Sequence, residues 1–494
     1  MREAHKRTNA KANARLPGAC RQCYNTAKEA EKMAKTTVIP AMEVPEWEYD
    51  VFVAGGGTAG CIAAIAAARQ GARVLLVEKQ PVPGGTLTNG GIGLYSYFAA
   101  VGADGGARRV VGGLPWELAQ RLQEEQGATG FIPSPGDRHS IPYRFVADHE
   151  VYKGVISEML LQSGADVLLQ TQLAGAERED GRIASVLIAG KDGVESVRAG
   201  TYVDATGDGD LARFAGCEQR EIWQHYTEVC GAPTGLVFGM DGVDFDELLR
   251  ENPGSAFSLA DDVSPSGERV RRVAFSHARE RGRYAPLAAM DINYFTTIQS
   301  LHEGEATYIN NSRGVVIDGS RAWDLSRGEL EMRVRVMRMA QALRQCVPGF
   351  ERAHLSWAAT QLGVRASRVT VCDKMISQSE ISAAARFPDE IGLYGFHDLS
   401  PKRPECQVGP PGFYGLPYRM LLPAGCTDLL MAGRCVTADV EAHMSTRNTV
   451  ACMLMGEAAG TAAALCARLG TDTRGLPYGR LREALLGAGA ILDV

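Results

Sequence analysis

Apolar and polar positions change rhythm several times along this chain, and each change predicts an element. Asp50-Val51-Phe52-Val53-Ala54 is a short, nearly unbroken apolar run, which predicts a buried strand from Tyr49 onwards. Gly55-Gly56-Gly57-Thr58-Ala59-Gly60 follows at once, and the alanine-rich stretch from Cys61 to Gln70 predicts a helix. Gly71-Ala72-Arg73 then turns the chain into a second strand, Val74-Leu75-Leu76-Val77, which ends on Glu78. Two later strands also close on glycine: Thr201–Asp204 runs into Ala205-Thr206-Gly207-Asp208-Gly209-Asp210, and Asp428–Met431 runs into Ala432-Gly433-Arg434. Asn448 to Gly470 predicts a long helix carrying Gly456-Glu457-Ala458-Ala459-Gly460 near its start. Between these pieces, the basic and apolar stretch from Glu331 to Arg344 predicts an amphipathic surface helix. Leu330, Val334, Met337 and Leu343 are its expected core stripe.

The first strand, helix and second strand make a complete βαβ unit with the G-x-G-x-x-G fingerprint. Gly55 permits the tight turn, Gly57 lets a pyrophosphate approach the backbone, and Gly60 allows close helix–strand packing. The helix N-terminus offers free N–H groups and a positive dipole end to the phosphates. Glu78 comes 18 residues after Gly60, where an acid accepts hydrogen bonds from ribose hydroxyls. An acid there favours FAD or NAD over NADP. The rest of the chain selects FAD: the small-residue loop Gly84 to Gly91, the 205–210 turn and the 433–434 turn all suit one extended cofactor.

Composition narrows the class. Glycine makes up 56 of 494 residues, above the usual share of about 7%, with no collagen period. The net charge of −6 and the lack of charge blocks argue against nucleic acid as a partner. Arg69 and Glu457 interrupt the two most apolar stretches, so no membrane span is expected. The 12 cysteines are scattered, which predicts a reduced, cytoplasmic protein and no metal or iron–sulfur site. Residues 1–45 differ from the rest. Met1 to Pro40 holds nine Lys/Arg against three Glu, and Cys20-x-x-Cys23 lacks a second ligand pair. A basic, disordered extension is expected there.

The order of these motifs resembles the FAD-dependent oxidoreductases related to the fumarate reductase and succinate dehydrogenase flavoproteins, in a broad bacterial branch. The resemblance rests on V-D-A-T-G-D-G-D (203–210), L-G-V-R-A-S-R (362–368), L-P-Y-R-M-L-L-P (416–423) and L-L-M-A-G-R-C-V (429–436), and above all on the 442–465 run. It implies that Gly55, Gly57 and Gly60, with Thr58 and Ala59 between them and Glu78 and Lys79 beyond, hold the adenosine and pyrophosphate. Gly85, Thr86 and Thr88 would lie towards the isoalloxazine, and Asp208 would sit in the turn that meets the cofactor. Gly433, Arg434 and the helix start around Gly456 and Ala459 would take the far end of the flavin. One departure concerns the 362–369 motif: the branch carries an acid and an extra arginine where this chain has Ala366 and Val369.

The resemblance also implies the catalytic candidates. His443 and Arg447 stand four apart, on one face if a single helix holds both. By analogy, His443 is a proton carrier and Arg447 an anion clamp or electrostatic stabiliser. The competing readings are a histidine bonded to a backbone carbonyl, and an arginine held by flavin oxygens or by a neighbouring acid. Glu441 stands beside them as a further titratable candidate, whereas Tyr418 and Arg419 read as a scaffold turn.

The expected fold is α/β: a Rossmann-like, three-layer FAD-binding domain of the two-dinucleotide-binding kind, with an inserted α+β substrate domain. The flavin domain takes 46–230 and 361–494, and the substrate domain takes 231–360. No second G-x-G-x-x-G follows a strand, so no built-in nicotinamide domain is expected. The expected activity is hydride transfer between FAD and a small-molecule substrate of the carboxylate, carbonyl or polyol class, with a diffusible electron donor or acceptor. The rivals are a flavin monooxygenase, against which Gly433-Arg434 counts in place of the usual Gly-Asp, and a non-redox FAD-dependent isomerase or lyase.

Overall fold

A computed structural model describes residues 42–494, apart from 96, 102–105, 134–141, 230–232, 252–256, 264–266, 268, 276–281, 290–295, 312–313 and 400–402. The basic extension expected over 1–45 lies outside the described residues as far as 41, together with Cys20 and Cys23.

Strand β1 (Glu46–Ala54) leads through the glycine turn into α1 (Thr58–Arg69) and then β2 (Val74–Val77). The apolar run ends up where its pattern demands: Val51, Phe52, Val53 and Ala54 have no exposed surface, as strands covered on both faces require. Helices α2 (Gly113–Glu124) and α3 (His149–Ser163) follow, and α3 returns the chain as β3 (Asp166–Leu168) beside β2. The meander β4 (Gln172–Glu179), β5 (Arg182–Gly190) and β6 (Gly193–Asp204) extends the same sheet on the far side of β1. β6 runs parallel to β1, with Val203 opposite Val53, while its first residues pair antiparallel with β5.

The second sheet is built differently. β7 (Phe238–Asp241), β8 (Phe257–Val263), β9 (Arg269–Phe275), β10 (Thr296–Ser300) and β11 (Glu305–Asn311) come first. The long helix α4 (Ala322–Cys346) and β12 (His354–Ala358) follow. The order is β8-β9-β10-β11-β7-β12, with every pairing antiparallel. Met332, Val336, Met339 and Leu343 of α4 pack with Phe238, Met240, Ile309 and Phe350 into a core of their own. This corrects the expected core stripe of that helix. Leu330, Val334 and Met337 face solvent, and only Leu343 of the four is buried. Two apolar stripes share the helix, and the sheet covers the other one.

The chain then returns to the first sheet through β13 (Leu429–Met431), which lies parallel to the last three residues of β6. Helices α5 (Val440–Thr446) and α6 (Thr449–Leu469) complete that half. By length and composition α6 could cross a membrane, but 94% of its apolar window is buried inside the fold. It packs along α1 at very short range. A Cβ on Gly456 would stand 2.2 Å from the Ala59 carbonyl oxygen, and one on Gly460 would stand 2.0 Å from that of Ala63. The fold is a mixed α/β, Rossmann-like architecture. Its turns after β1, β6 and β13 share the carboxyl end of the parallel strands of one sheet, where such folds bind ligands.

Candidate functional site

Three turns meet at that sheet end, and glycine sets how closely they meet. Gly55 adopts φ +89°, and a Cβ there would lie 2.8 Å from Thr206 Cα. A Cβ on Gly60 would lie 1.8 Å from the Gly55 carbonyl oxygen. Gly57 is different: a Cβ there would find only the Ala205 carbonyl, 4.0 Å away. Gly55 and Gly60 therefore hold the turn together, whereas Gly57 keeps open space beside the start of α1. That helix has no side-chain cap, so its first N–H groups remain available to an anion. Thr58 donates to the Gly84 carbonyl at 3.3 Å, and Ala59 is buried under α6.

Glu78, at the end of β2, is buried beside Gly56 and accepts the Gln80 N–H at 2.8 Å. Burial raises its carboxyl above the ordinary range, against the pull of Gln80 and Lys79. Lys79 is exposed, and its charge also reaches Asp208 and Asp210. The 84–91 loop folds back onto the fingerprint. The Gly84 N–H donates to the Gly56 carbonyl at 2.8 Å, and a Cβ on Gly85 would lie 2.8 Å from Gly57 Cα. Thr86 is exposed, while Thr88 is buried and donates to the Pro83 carbonyl at 2.8 Å. Asn89 ties this loop to the segment after β12, accepting from the Thr360 hydroxyl at 3.0 Å and from the Gln361 N–H at 3.2 Å.

The second and third turns are joined by charge. Arg434 pairs with Asp208 at 3.0 Å and donates to the Ser367 hydroxyl at 3.0 Å. Ser367 in turn donates to Asp208. Arg368 donates from Nε to the Asp208 carbonyl at 2.6 Å and pairs with Asp210. Burial alone would raise the Asp208 carboxyl, but Arg434 and Ser367 outweigh it and hold the group below its usual range. Asp204 anchors the turn from beneath, accepting from Thr206 and from the Ala212 N–H at 2.8 Å. Gly433 takes φ +91° between Arg434 and the end of β13. Three motifs far apart in sequence thus share one network, and sequence reasoning left Ser367 and Arg368 without a role in it. Their signal was present in V-R-A-S-R, yet only the structure shows which turn it meets.

His443 and Arg447 lie at α5, which ends before α6 begins, so no single helix carries both. His443 is buried, and its Nε2 lies 2.9 Å from the Arg434 carbonyl. A carbonyl only accepts, so Nε2 carries the proton and Nδ1 is a lone pair, which has no donor among the described residues. Burial, with Arg447 and Arg434 nearby, pushes the ring down to about 3; it is neutral at physiological pH. Arg447 pairs with Asp398 and lies over the Tyr226 ring at 5.8 Å. Glu441 pairs with Arg403 at 3.5 Å, Tyr418 donates to the Thr473 carbonyl at 2.8 Å, and Arg419 pairs with Asp389. Gly456 and Ala459 lie within α6, which starts at Thr449 as the sequence predicts, and Gly456 faces the α1 backbone rather than open space.

Residues 50–485 match the family described as FAD dependent oxidoreductase. The chain belongs to that family. The open space at Gly57, the uncapped start of α1 and the His443 Nδ1 lone pair fit the FAD of that family. Among curated proteins, this flavoenzyme is similar to digeranylgeranylglycerophospholipid reductase 2 of Methanothermobacter thermautotrophicus. The two are 30% identical over 247 residues, 47% of this chain and 58% of that one. A second relative, digeranylgeranylglycerophospholipid reductase of Thermoplasma volcanium, is 28% identical over 34% of this chain and 42% of its own. The flavoenzyme thus matches about half the length of these relatives. Among solved structures, a geranylgeranyl bacteriochlorophyll reductase-like protein from Thermoplasma acidophilum aligns over 89% of this chain and 82% of its own. The TM-score is 0.40 and the identity 15%.

Proposed function

We propose that this flavoenzyme moves a hydride between FAD and a small organic substrate, a carbonyl or polyol in preference to a carboxylate. The observation that carries this reading is charge balance around the three turns. Arg434 is matched by Asp208, Arg368 by Asp210 and Arg447 by Asp398. These arginines offer N–H donors without surplus positive charge. A carboxylate would compete with their acids, whereas a neutral oxygen can accept without displacing one. By the resemblance to fumarate-reductase-related flavoproteins, Arg447 is the donor to a substrate oxygen.

Bound FAD supplies the hydride chemistry. The chain binds and orients. Gly57 and the start of α1 take the pyrophosphate, Glu78 takes ribose hydroxyls, and the Asp208–Arg434 pair fixes the far turn. His443 in this reading does not carry a proton: its Nδ1 accepts from a hydroxyl or N–H of cofactor or substrate and fixes its position. The nine described cysteines are free and buried, which fits a reducing, cytoplasmic setting. A diffusible donor or acceptor closes the redox cycle.

A second reading follows from the relatives named as digeranylgeranylglycerophospholipid reductases. Val146, Val237, Leu301 and Tyr308, with Ile92 and Trp357 against them, form a buried apolar cluster beside the 84–93 loop. Apolar walls of that kind suit reduction of a carbon–carbon double bond in an apolar chain. One anaerobic experiment separates the readings. The FAD-loaded protein is mixed with hydroxy acids, polyols and sugars, and the reduced protein with keto compounds, enoates and prenyl alcohols. Bleaching or return of the flavin absorbance with a polyol or carbonyl compound is the expected result. A response to prenyl compounds alone favours the second reading. Stoichiometric oxygen insertion, or conversion of substrate with the flavin oxidised throughout, would overturn both.

A further inference from the structure

The inserted domain shows an apolar face with no partner among the described residues. Trp323, Leu330, Val334 and Met337 of α4 stand 63%, 71%, 45% and 49% exposed. Their spacing of seven, four and three residues places them along one side of the helix. At 1.5 Å per residue the stripe runs roughly 20 Å. Single exposed apolar residues are ordinary on a protein surface, but four large ones in line mark a contact surface.

The charges beside the stripe identify the partner. Asp324, Glu329 and Glu331 lie in the first half of α4, and Arg335, Arg338 and Arg344 lie in the second. The two basic residues of the first half are held by its own acids, Arg327 between Asp324 and Glu331 at 3.7 and 3.8 Å and Arg333 on Glu329 at 3.1 Å. An antiparallel copy of the same helix sets each acidic half on a basic half, as a twofold axis requires. Centred near Val334, such a pairing brings Leu330 towards Met337 and Trp323 towards Arg344, where a guanidinium can lie over the indole. A helix lying on an anionic bilayer is basic along its polar flank, and the three acids of the first half oppose that. We propose that this face of α4 pairs antiparallel with the same face on a second copy of the chain, making a twofold dimer through the inserted domains.

Sedimentation of the FAD-loaded full chain across a concentration range tests this. The wild type should approach twice the 53.0 kDa chain mass. Leu330→Glu combined with Met337→Glu should sediment as a single chain with flavin still bound. A charge swap adds specificity. Asp324→Lys with Glu331→Lys, and Arg338→Glu with Arg344→Glu, should each give single chains, while their equimolar mixture pairs again. Three results would overturn the proposal: a single-chain wild type throughout, dimers indifferent to the Leu330 and Met337 changes, or single chains that float with phosphatidylcholine–phosphatidylglycerol vesicles.

Discussion

The glycine turn at the end of β1 and the long helix α4 obey different rules. At the turn, backbone meets backbone, and one atom decides the outcome: a Cβ on Gly60 would sit 1.8 Å from a carbonyl oxygen. On α4, two apolar stripes have nearly the same period, and what packs against the helix decides which is core. Met332 has no exposed surface while Leu330, two residues earlier, is 71% exposed. A constraint of the first kind is written in a single residue. One of the second kind depends on a sheet built from strands up to about a hundred residues away.

The sharpest way to break this contrast is at Gly60. Gly60→Ala should cost about 3 kcal/mol or more, because neither carbonyl nor helix can retreat; thermal melting of the apo-protein would show it. A variant that melts like the wild type would mean that the turn yields. The two faces of α4 come next. Met332→Ala should cost about 2–5 kcal/mol in denaturant unfolding, and Leu330→Ala, measured at high dilution, should stay within about 0.5 kcal/mol. Equal losses would mean that both stripes are core within one chain.

The third prediction concerns His443. Its folded value of about 3 lies below the ordinary 6.5, so between these values the unfolded chain binds the extra proton. Stability must then fall as pH drops from 6.5 towards 3, by about 1.4 kcal/mol per pH unit from this ring alone. His443→Gln should remove about 2 kcal/mol of the loss between pH 6.5 and 5. Identical pH profiles would show that the ring is not held neutral.

Much of the fold was legible because its signals are local. The βαβ unit, the glycine of each turn and the strands ending at Asp204 and Met431 follow from adjacent residues. The candidate site was legible as separate pieces, but not in how the pieces join. Nothing near Arg447 in sequence points to Asp398, 49 residues earlier, as its ion-pair partner. Nothing around Gly456 distinguishes a helix start for a cofactor from a groove for α1, since both need a missing side chain. The 366 position gives a smaller example: Ala366 is fully buried, between Arg365 and the Ser367–Arg368 pair that grips the 208–210 turn.

The account rests most heavily on the claim that Gly57 keeps space for the cofactor, whereas Gly55 and Gly60 keep the fold. Calorimetric titration of the purified protein with FAD, in wild-type and Gly57→Ala forms, tests it directly. The account predicts FAD binding by the wild type, and binding about tenfold weaker, about 1.4 kcal/mol, by a variant whose unfolding is unchanged. Wild-type protein that fails to bind FAD, or a Gly57→Ala variant that binds it equally well, would contradict that claim.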